Sequence, residues 1–145
     1  MSSIQRVATL SGIVFLAVSA VGFAAGAGGH PMLGMSTGML LGLFPVNVLH
    51  NAVHMLFGVW GIWAGWSARR SVTYALGSGA VYLVLAICGV VTPQLLGIVP
   101  IGGYDVVLHL ALAVTLAGAG FWAMWFAPAS TPAASQRSAQ PRKAA

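Results

Sequence analysis

Two short segments of the chain combine histidines with its only acidic residue, and their side-chain types could do chemistry. His50 and His54 are four residues apart, as are Asp105 and His109, and residues four apart share one face of a helix. Imidazole and carboxylate groups converging from two helices suit zinc, copper or iron. Such groups also form proton relays inside membranes. These segments are therefore the first candidates for a functional site.

Two asparagines extend the first segment along the same helical stripe. The complete polar cluster comprises Asn47, His50, Asn51, His54, Asp105 and His109. The candidate metal ligands within it are His50, His54, His109 and Asp105, and His54 with His109 could instead ligate a haem axially. Three interpretations stay open, namely a hydrogen-bonded network that fixes helix register, a transition-metal or haem site, and a path for protons, small ions or solutes.

The histidine spacing does not indicate hydrolysis. A metalloprotease helix carries a glutamate beside the first of its two histidines, whereas Asn51 follows His50 in this chain. The sequence therefore favours a non-enzymatic role, with metal handling or redox chemistry as the leading alternative.

The composition indicates which elements must position these side chains. Of 145 residues, 59% are hydrophobic and 5% are charged, whereas soluble domains carry roughly 25% charged residues. The chain therefore predicts a membrane protein whose main partner is the lipid bilayer. Six basic residues give a net charge of +5, but they are too few and too dispersed for a nucleic-acid surface.

Four apolar stretches are long enough to cross a hydrocarbon core, which takes about 20 helical residues. Because lipid leaves backbone polar groups unsatisfied, each stretch is expected to be a helix. The predicted fold is an all-α bundle of four transmembrane helices within residues 1–126, followed by a disordered tail at 127–145. The predicted spans are 7–27, 45–66, 72–91 and 104–126.

The basic residues predict the orientation of this bundle. They fall at both termini and in the turn after the second span: Arg6, Arg69, Arg70, Arg137, Arg142 and Lys143. The positive-inside rule then places both termini of this multi-pass protein on the cytoplasmic side of its membrane. A cleaved signal peptide that ends near Ala27 is the alternative interpretation of the first stretch.

An internal repeat relates the two halves of the chain. The register that superposes 41–45 on 96–100 also superposes His50 on Asp105 and His54 on His109. The repeat predicts two helical hairpins in parallel orientation. The expected partner of Asp105 is His50 by the repeat, or His109 by its i, i+4 spacing. Small residues below the cluster on both helices are expected to let the second and fourth spans approach closely: Gly58, Gly61, Gly65, Ala113, Ala117 and Gly120.

The run 44–54, followed by Gly58, and the segment 105–110 resemble a family of small bacterial four-helix membrane proteins that is described as a domain of unknown function. The motif of the first run is Asn-x-x-His-Asn-x-x-His, and the second contains Asp-x-x-Leu-His. The resemblance covers nearly the whole chain except its tail. It implies the four-span fold and no particular activity.

Two further features give hypotheses of their own. The first connection contains soft or borderline ligands that could receive Cu(I): His30, Met32, Met35 and Met39. Cys88 is solitary and cannot form an intrachain disulfide. The sequence leaves open whether the protein forms a homo-oligomer or joins a partner membrane subunit.

Overall fold

The computed structural model describes residues 1–26 and 38–126, and most of these residues are helical. The predicted all-α fold is confirmed. The predicted tail at 127–145 lies outside the described residues, as do His30, Met32 and Met35. In chain order the elements are α1 (Ser3–Gly26), β1 (Gly38–Leu40), β2 (Phe44–Val46), α2 (Val48–Ala64), α3 (Ala68–Val91), the single turn α4 (Leu95–Ile98) and α5 (Tyr104–Phe126).

Three of the helices, α1, α3 and α5, are long and apolar enough to cross a membrane. The fourth apolar helix, α2, has 17 residues and is therefore about 25 Å long. It begins at Val48 rather than at Pro45, because the chain just before it pairs as β2 with β1 in a small antiparallel hairpin. Large apolar side chains such as Leu56 and Val114 are exposed while histidines are buried. This distribution is that of a membrane protein.

The helices associate as two antiparallel pairs, α1 with α2 and α3 with α5. Both pairs are held by very close backbone approach. A methyl group on Gly12 would lie 2.7 Å from the Gly58 carbonyl oxygen, and one on Gly79 would lie 2.7 Å from the Ala117 nitrogen. Only hydrogen in place of a side chain permits this spacing at Gly12 and Gly79.

The glycines of α2 face α1, so the expectation that they bring α2 and α5 together is wrong. Gly58 and Gly61 lie against α1 residues from Ala8 to Leu16. The physical reason is that helices approach closely only where both present small residues, and α1 offers Ala8 and Gly12 to these glycines. On the α5 side, the buried side chains of His50, His54 and His109 lie between the two helices.

The two helical pairs repeat the same packing. Gly12 of α1 corresponds to Gly79 of α3, and His54 of α2 corresponds to His109 of α5. Equivalent residues of α1 and α3 are further apart in the sequence than equivalent residues of α2 and α5. The reason is that the connection between α1 and α2 is longer than that between α3 and α5. Three contacts between α1 and α2 have counterparts between α3 and α5. The contact Gly12–Ile62 matches Gly79–Ala117, Gly22–Asn51 matches Gly89–Val106, and Thr9–Gly65 matches Leu76–Gly120.

The turns that precede α2 and α5 also match. Leu41 and Gly42 have φ values of 54° and 69°, and Leu96 and Gly97 have values of 57° and 73°. Left-handed conformation is unusual for leucine, and it recurs at the same place in each half. The Ile101 N–H donates to the Pro93 carbonyl at 2.9 Å, at positions equivalent to the paired residues of β1 and β2. Two similar turns therefore lie just before the two helices that carry the histidines.

Candidate metal centre

The structure brings all four candidate metal ligands together between α2 and α5. His50 and Asp105 lie in the first turns of their helices, and His54 and His109 lie one turn further along. All four side chains are at least 95% buried. The backbones of α2 and α5 make few close contacts, so these side chains occupy the space between the two helices. We call these four residues the His–Asp cluster.

The three imidazoles of the His–Asp cluster are close enough to share one ion. One nitrogen from each of His50, His54 and His109 lies within 4.8 Å of the other two. Tetrahedral zinc, with bonds of about 2.1 Å, holds its ligand atoms about 3.4 Å apart. Side-chain movements of about 1 Å would therefore close the set around an ion with such bonds.

Asp105 pairs with His50 rather than with His109. The His50 Nε2 and Asp105 Oδ2 atoms are 3.7 Å apart, and these two residues are the pair that the internal repeat superposes. The i, i+4 alternative on α5 is not formed. Asp105 also lies in the first turn of α5, where the positive end of the helix dipole favours a carboxylate.

The hydrogen bond of His50 Nδ1 determines whether Nε2, the nitrogen that faces Asp105, carries a hydrogen. His50 Nδ1 lies 3.0 Å from the Pro100 carbonyl oxygen, which can only accept a hydrogen bond. Nδ1 therefore carries the hydrogen, and a neutral His50 points the lone pair of Nε2 towards the carboxylate. Two acceptors that face each other need a cation between them, either a proton or a metal ion. A carbonyl that holds the outer nitrogen of a histidine is a recurrent feature of metal sites.

Three polar atoms of the His–Asp cluster have no hydrogen-bond partner among the protein atoms of the described residues. They are Nδ1 of His54, Nδ1 of His109 and Oδ2 of Asp105. Buried polar atoms in folded proteins are almost always paired. A bridging proton would satisfy only His50 and Asp105, whereas a metal ion can bind one atom from each of the four residues. The donor set therefore fits a transition-metal ion.

The two asparagines of the predicted polar cluster have separate positions. Asn47 is the N-cap of α2, where its Oδ1 accepts from the His50 N–H at 2.8 Å, and its Nδ2 donates to the Ile98 carbonyl at 2.7 Å. Asn51 turns towards Gly22 of α1. Asn47 thus fixes the start of α2 and ties it to α4, whereas Asn51 packs against α1.

Replacing Asn47 by alanine is expected to destabilise the protein by about 1–2 kcal/mol, because the variant loses an N-cap and the bond to Ile98. The measurement is the free energy of unfolding in detergent, followed by circular dichroism. The matched control is Val48→Ala, which truncates the partly exposed neighbouring side chain. Equal losses in the two variants would show that the cap contributes nothing.

Two aromatic rings frame the His–Asp cluster, and the sequence patterns did not indicate them. Phe15 of α1 stacks on His54 with ring centroids 5.8 Å apart, and Tyr82 of α3 packs on His109 at 5.5 Å. Phe15 and Tyr82 also stack on each other at 5.5 Å. These two residues are equivalent in the register that superposes α1 on α3, so an alignment of these two helices was the signal that could have found them.

The chain belongs to the family described as Domain of unknown function (DUF4383), whose model matches residues 5–122. The family resemblance that the motifs predicted is therefore confirmed. The matched range includes the His–Asp cluster, Phe15 and Tyr82. No curated protein and no solved structure matches the chain.

Proposed function

We propose that this member of the DUF4383 family is a membrane protein that holds one transition-metal ion inside its helical bundle. The ligands are one nitrogen from each of His50, His54 and His109 and one oxygen of Asp105. Three imidazoles and a carboxylate form a borderline donor set that suits Zn²⁺, and also Cu²⁺ or Fe²⁺.

The observation that carries this proposal is the 3.7 Å separation of His50 Nε2 and Asp105 Oδ2. A metal ion with bonds of about 2.1 Å to both atoms would subtend an angle of about 125° between them. That angle is near tetrahedral, so little movement is needed at this half of the site. His54 and His109 supply the remaining two ligands from the next turn of each helix.

The ligand set also supports a non-enzymatic role. Catalytic zinc sites keep one position for water or substrate, whereas sites with four protein ligands are closed. The cluster offers four protein ligands, and all of them are buried. We therefore assign it to metal holding rather than to hydrolysis.

A bare metal ion fits the surroundings better than a haem. A nitrogen of His50 lies within 4.8 Å of those of both His54 and His109, so a macrocycle between these two histidines would overlap the His50 side chain. The ion needs only the small space between the side chains. The proposal therefore favours a metal ion over the haem alternative.

For this chain we propose four membrane spans in two parallel hairpins, with both termini in the cytoplasm of a bacterial inner membrane. The matched contacts of the two helical pairs support the repeat, and Arg69 and Arg70 in the first turn of α3 support the orientation. In this arrangement the His–Asp cluster lies in the outer half of the membrane.

A reporter that is active only in the cytoplasm is expected to work at the C-terminus, and activity only of a periplasmic reporter would overturn the orientation.

The test of metal binding uses protein purified in detergent without chelators from zinc-supplemented cells. Elemental analysis is expected to find about one zinc ion per chain, and Co²⁺ exchanged into the site should give the absorption bands of a four-coordinate ion. The double variant His54→Ala, His109→Ala should lose both signals because it removes half of the ligands.

The matched control is Leu56→Ala, Leu110→Ala, which truncates exposed side chains on the same two helices. It should bind metal as the wild type does. Zinc bound equally by the histidine variant, or a wild type without stoichiometric metal after zinc supplementation, would overturn the proposal.

A further inference from the structure

A groove at the opposite end of α2 from His50 takes no part in the proposed metal site. Its volume is about 310 Å³. It is lined by two tryptophans, two arginines and a threonine: Trp60, Trp63, Arg69, Arg70 and Thr73. The tryptophans lie near the end of α2 and the arginines in the first turn of α3. We call this feature the Trp–Arg groove.

The two guanidinium groups of the Trp–Arg groove have no acidic side chain to pair with in this protein. The chain contains a single acidic residue, and that residue, Asp105, lies beside His50. Most of the length of α2, which is about 25 Å long, separates His50 from the groove. Within the described residues Arg69 and Arg70 therefore have no anionic partner, and an anionic group of another molecule would fill that role.

One of the guanidinium groups is already held against an aromatic ring. The Arg70 Cζ atom lies 4.5 Å from the centre of the Trp63 ring, which is a cation–π distance. Such a contact limits the freedom of a long side chain before any ligand binds. Guanidinium groups match the oxygens of a phosphate with paired hydrogen bonds, so a partly fixed arginine pair favours a phosphate group.

The surroundings of the groove point to a lipid as the source of that phosphate. Tryptophan concentrates at the level of lipid headgroups in membrane proteins. Trp63 and Trp66 are 46% and 74% exposed, and Val59 one turn before Trp63 is also exposed. A ligand with a phosphate and acyl chains would contact the arginines and this apolar surface together.

We infer that the Trp–Arg groove binds the phosphate of an anionic phospholipid headgroup. Arg69 and Arg70 hold the phosphate, and Trp60 and Trp63 contact the glycerol and the first acyl carbons. The lipid is anionic because a zwitterionic headgroup brings its own ammonium group and leaves the two arginines uncompensated. This site is independent of the His–Asp cluster.

The test is native mass spectrometry of the full chain in detergent, titrated with phosphatidylglycerol or phosphatidylcholine of the same chain length. We expect a preference of about tenfold for phosphatidylglycerol, and Arg70→Gln should reduce it about fivefold. The matched control is Arg6→Gln, which removes one charge from another exposed arginine near the same end of the bundle, where its neighbour Gln5 bonds to the Gly65 carbonyl. This control should keep the preference.

Three results would each overturn the inference. The first is an equal affinity for the two lipids. The second is an equal loss in Arg6→Gln and Arg70→Gln, which would show that only the general surface charge matters. The third is full displacement of the lipid by soluble glycerol phosphate, which would assign the groove to a water-soluble phosphate ester. Circular dichroism of each variant checks that the helices are intact.

Discussion

Asp105→Asn is expected to weaken zinc binding by about 100-fold and, without metal, to leave the protein as stable as the wild type or more stable. Asparagine keeps the shape of the side chain but removes its charge. Mutating a residue that hydrogen-bonds to a metal-bound histidine typically lowers metal affinity about 10–100-fold. Removing a carboxylate that ligates the ion itself should lie at the upper end of that range.

Weaker zinc binding together with undiminished metal-free stability distinguishes a metal site from a hydrogen-bonded network. If the cluster served only to fix helix register, the loss of the carboxylate would destabilise the metal-free protein. If it holds a metal, the metal-free protein carries a buried carboxylate that is poorly compensated, so its removal costs little. The measurements are zinc affinity by competition with a chelating dye and the free energy of unfolding in a chelator. Tyr104→Phe, at the exposed neighbouring residue, is the control.

Gly12→Ala is expected to destabilise the protein by about 3 kcal/mol, at the upper end of what overpacking typically costs. The added methyl group would lie 2.7 Å from both the Gly58 oxygen and the Ile62 nitrogen. Neither backbone atom can move unless α1 and α2 separate, so the structure cannot relax locally. The measurement is the free energy of unfolding in detergent. Gly79→Ala should have the same effect on the pair α3 and α5.

The chain offers a matched control in Gly118 of α5. A methyl group there meets nothing within 4 Å, and alanine is favoured over glycine in helices by about 1 kcal/mol. Gly118→Ala should therefore unfold at the same denaturant concentration as the wild type or at a higher one. Similar destabilisation in Gly12→Ala and Gly118→Ala would show that the close helix approach is not needed for stability.

The grouping of the His–Asp cluster could be predicted from the sequence because ionisable groups are rare in the apolar spans of this chain. The internal repeat and the four-residue spacing together placed His50, His54, Asp105 and His109 in one cluster. The repeat also favoured the correct partner for Asp105. In an apolar chain such residues have few other places in which to lie, so simple periodicity was sufficient.

Features that depend on small or apolar residues could not be predicted in the same way. The direction in which Gly58 faces depends on Gly12 of α1, which allows the close approach and which spacing along α2 alone does not reveal. Phe15 and Tyr82 are two of many apolar or aromatic residues, and their equivalence requires a register shift that differs from the one between α2 and α5. The hairpin of β1 and β2 depends on a left-handed backbone at Leu41, a conformation that leucine rarely adopts.

The matched glycine contacts and turns of the two helical pairs have an evolutionary consequence. An ancestral chain with one helical pair could have associated with a second copy of itself about a two-fold axis. The positions of His50 and Asp105 would then have held identical residues, either two imidazoles or two carboxylates. In a single chain that carries both halves these two positions can differ. One histidine opposite one aspartate at equivalent positions is a pairing that no symmetric dimer of identical chains can form.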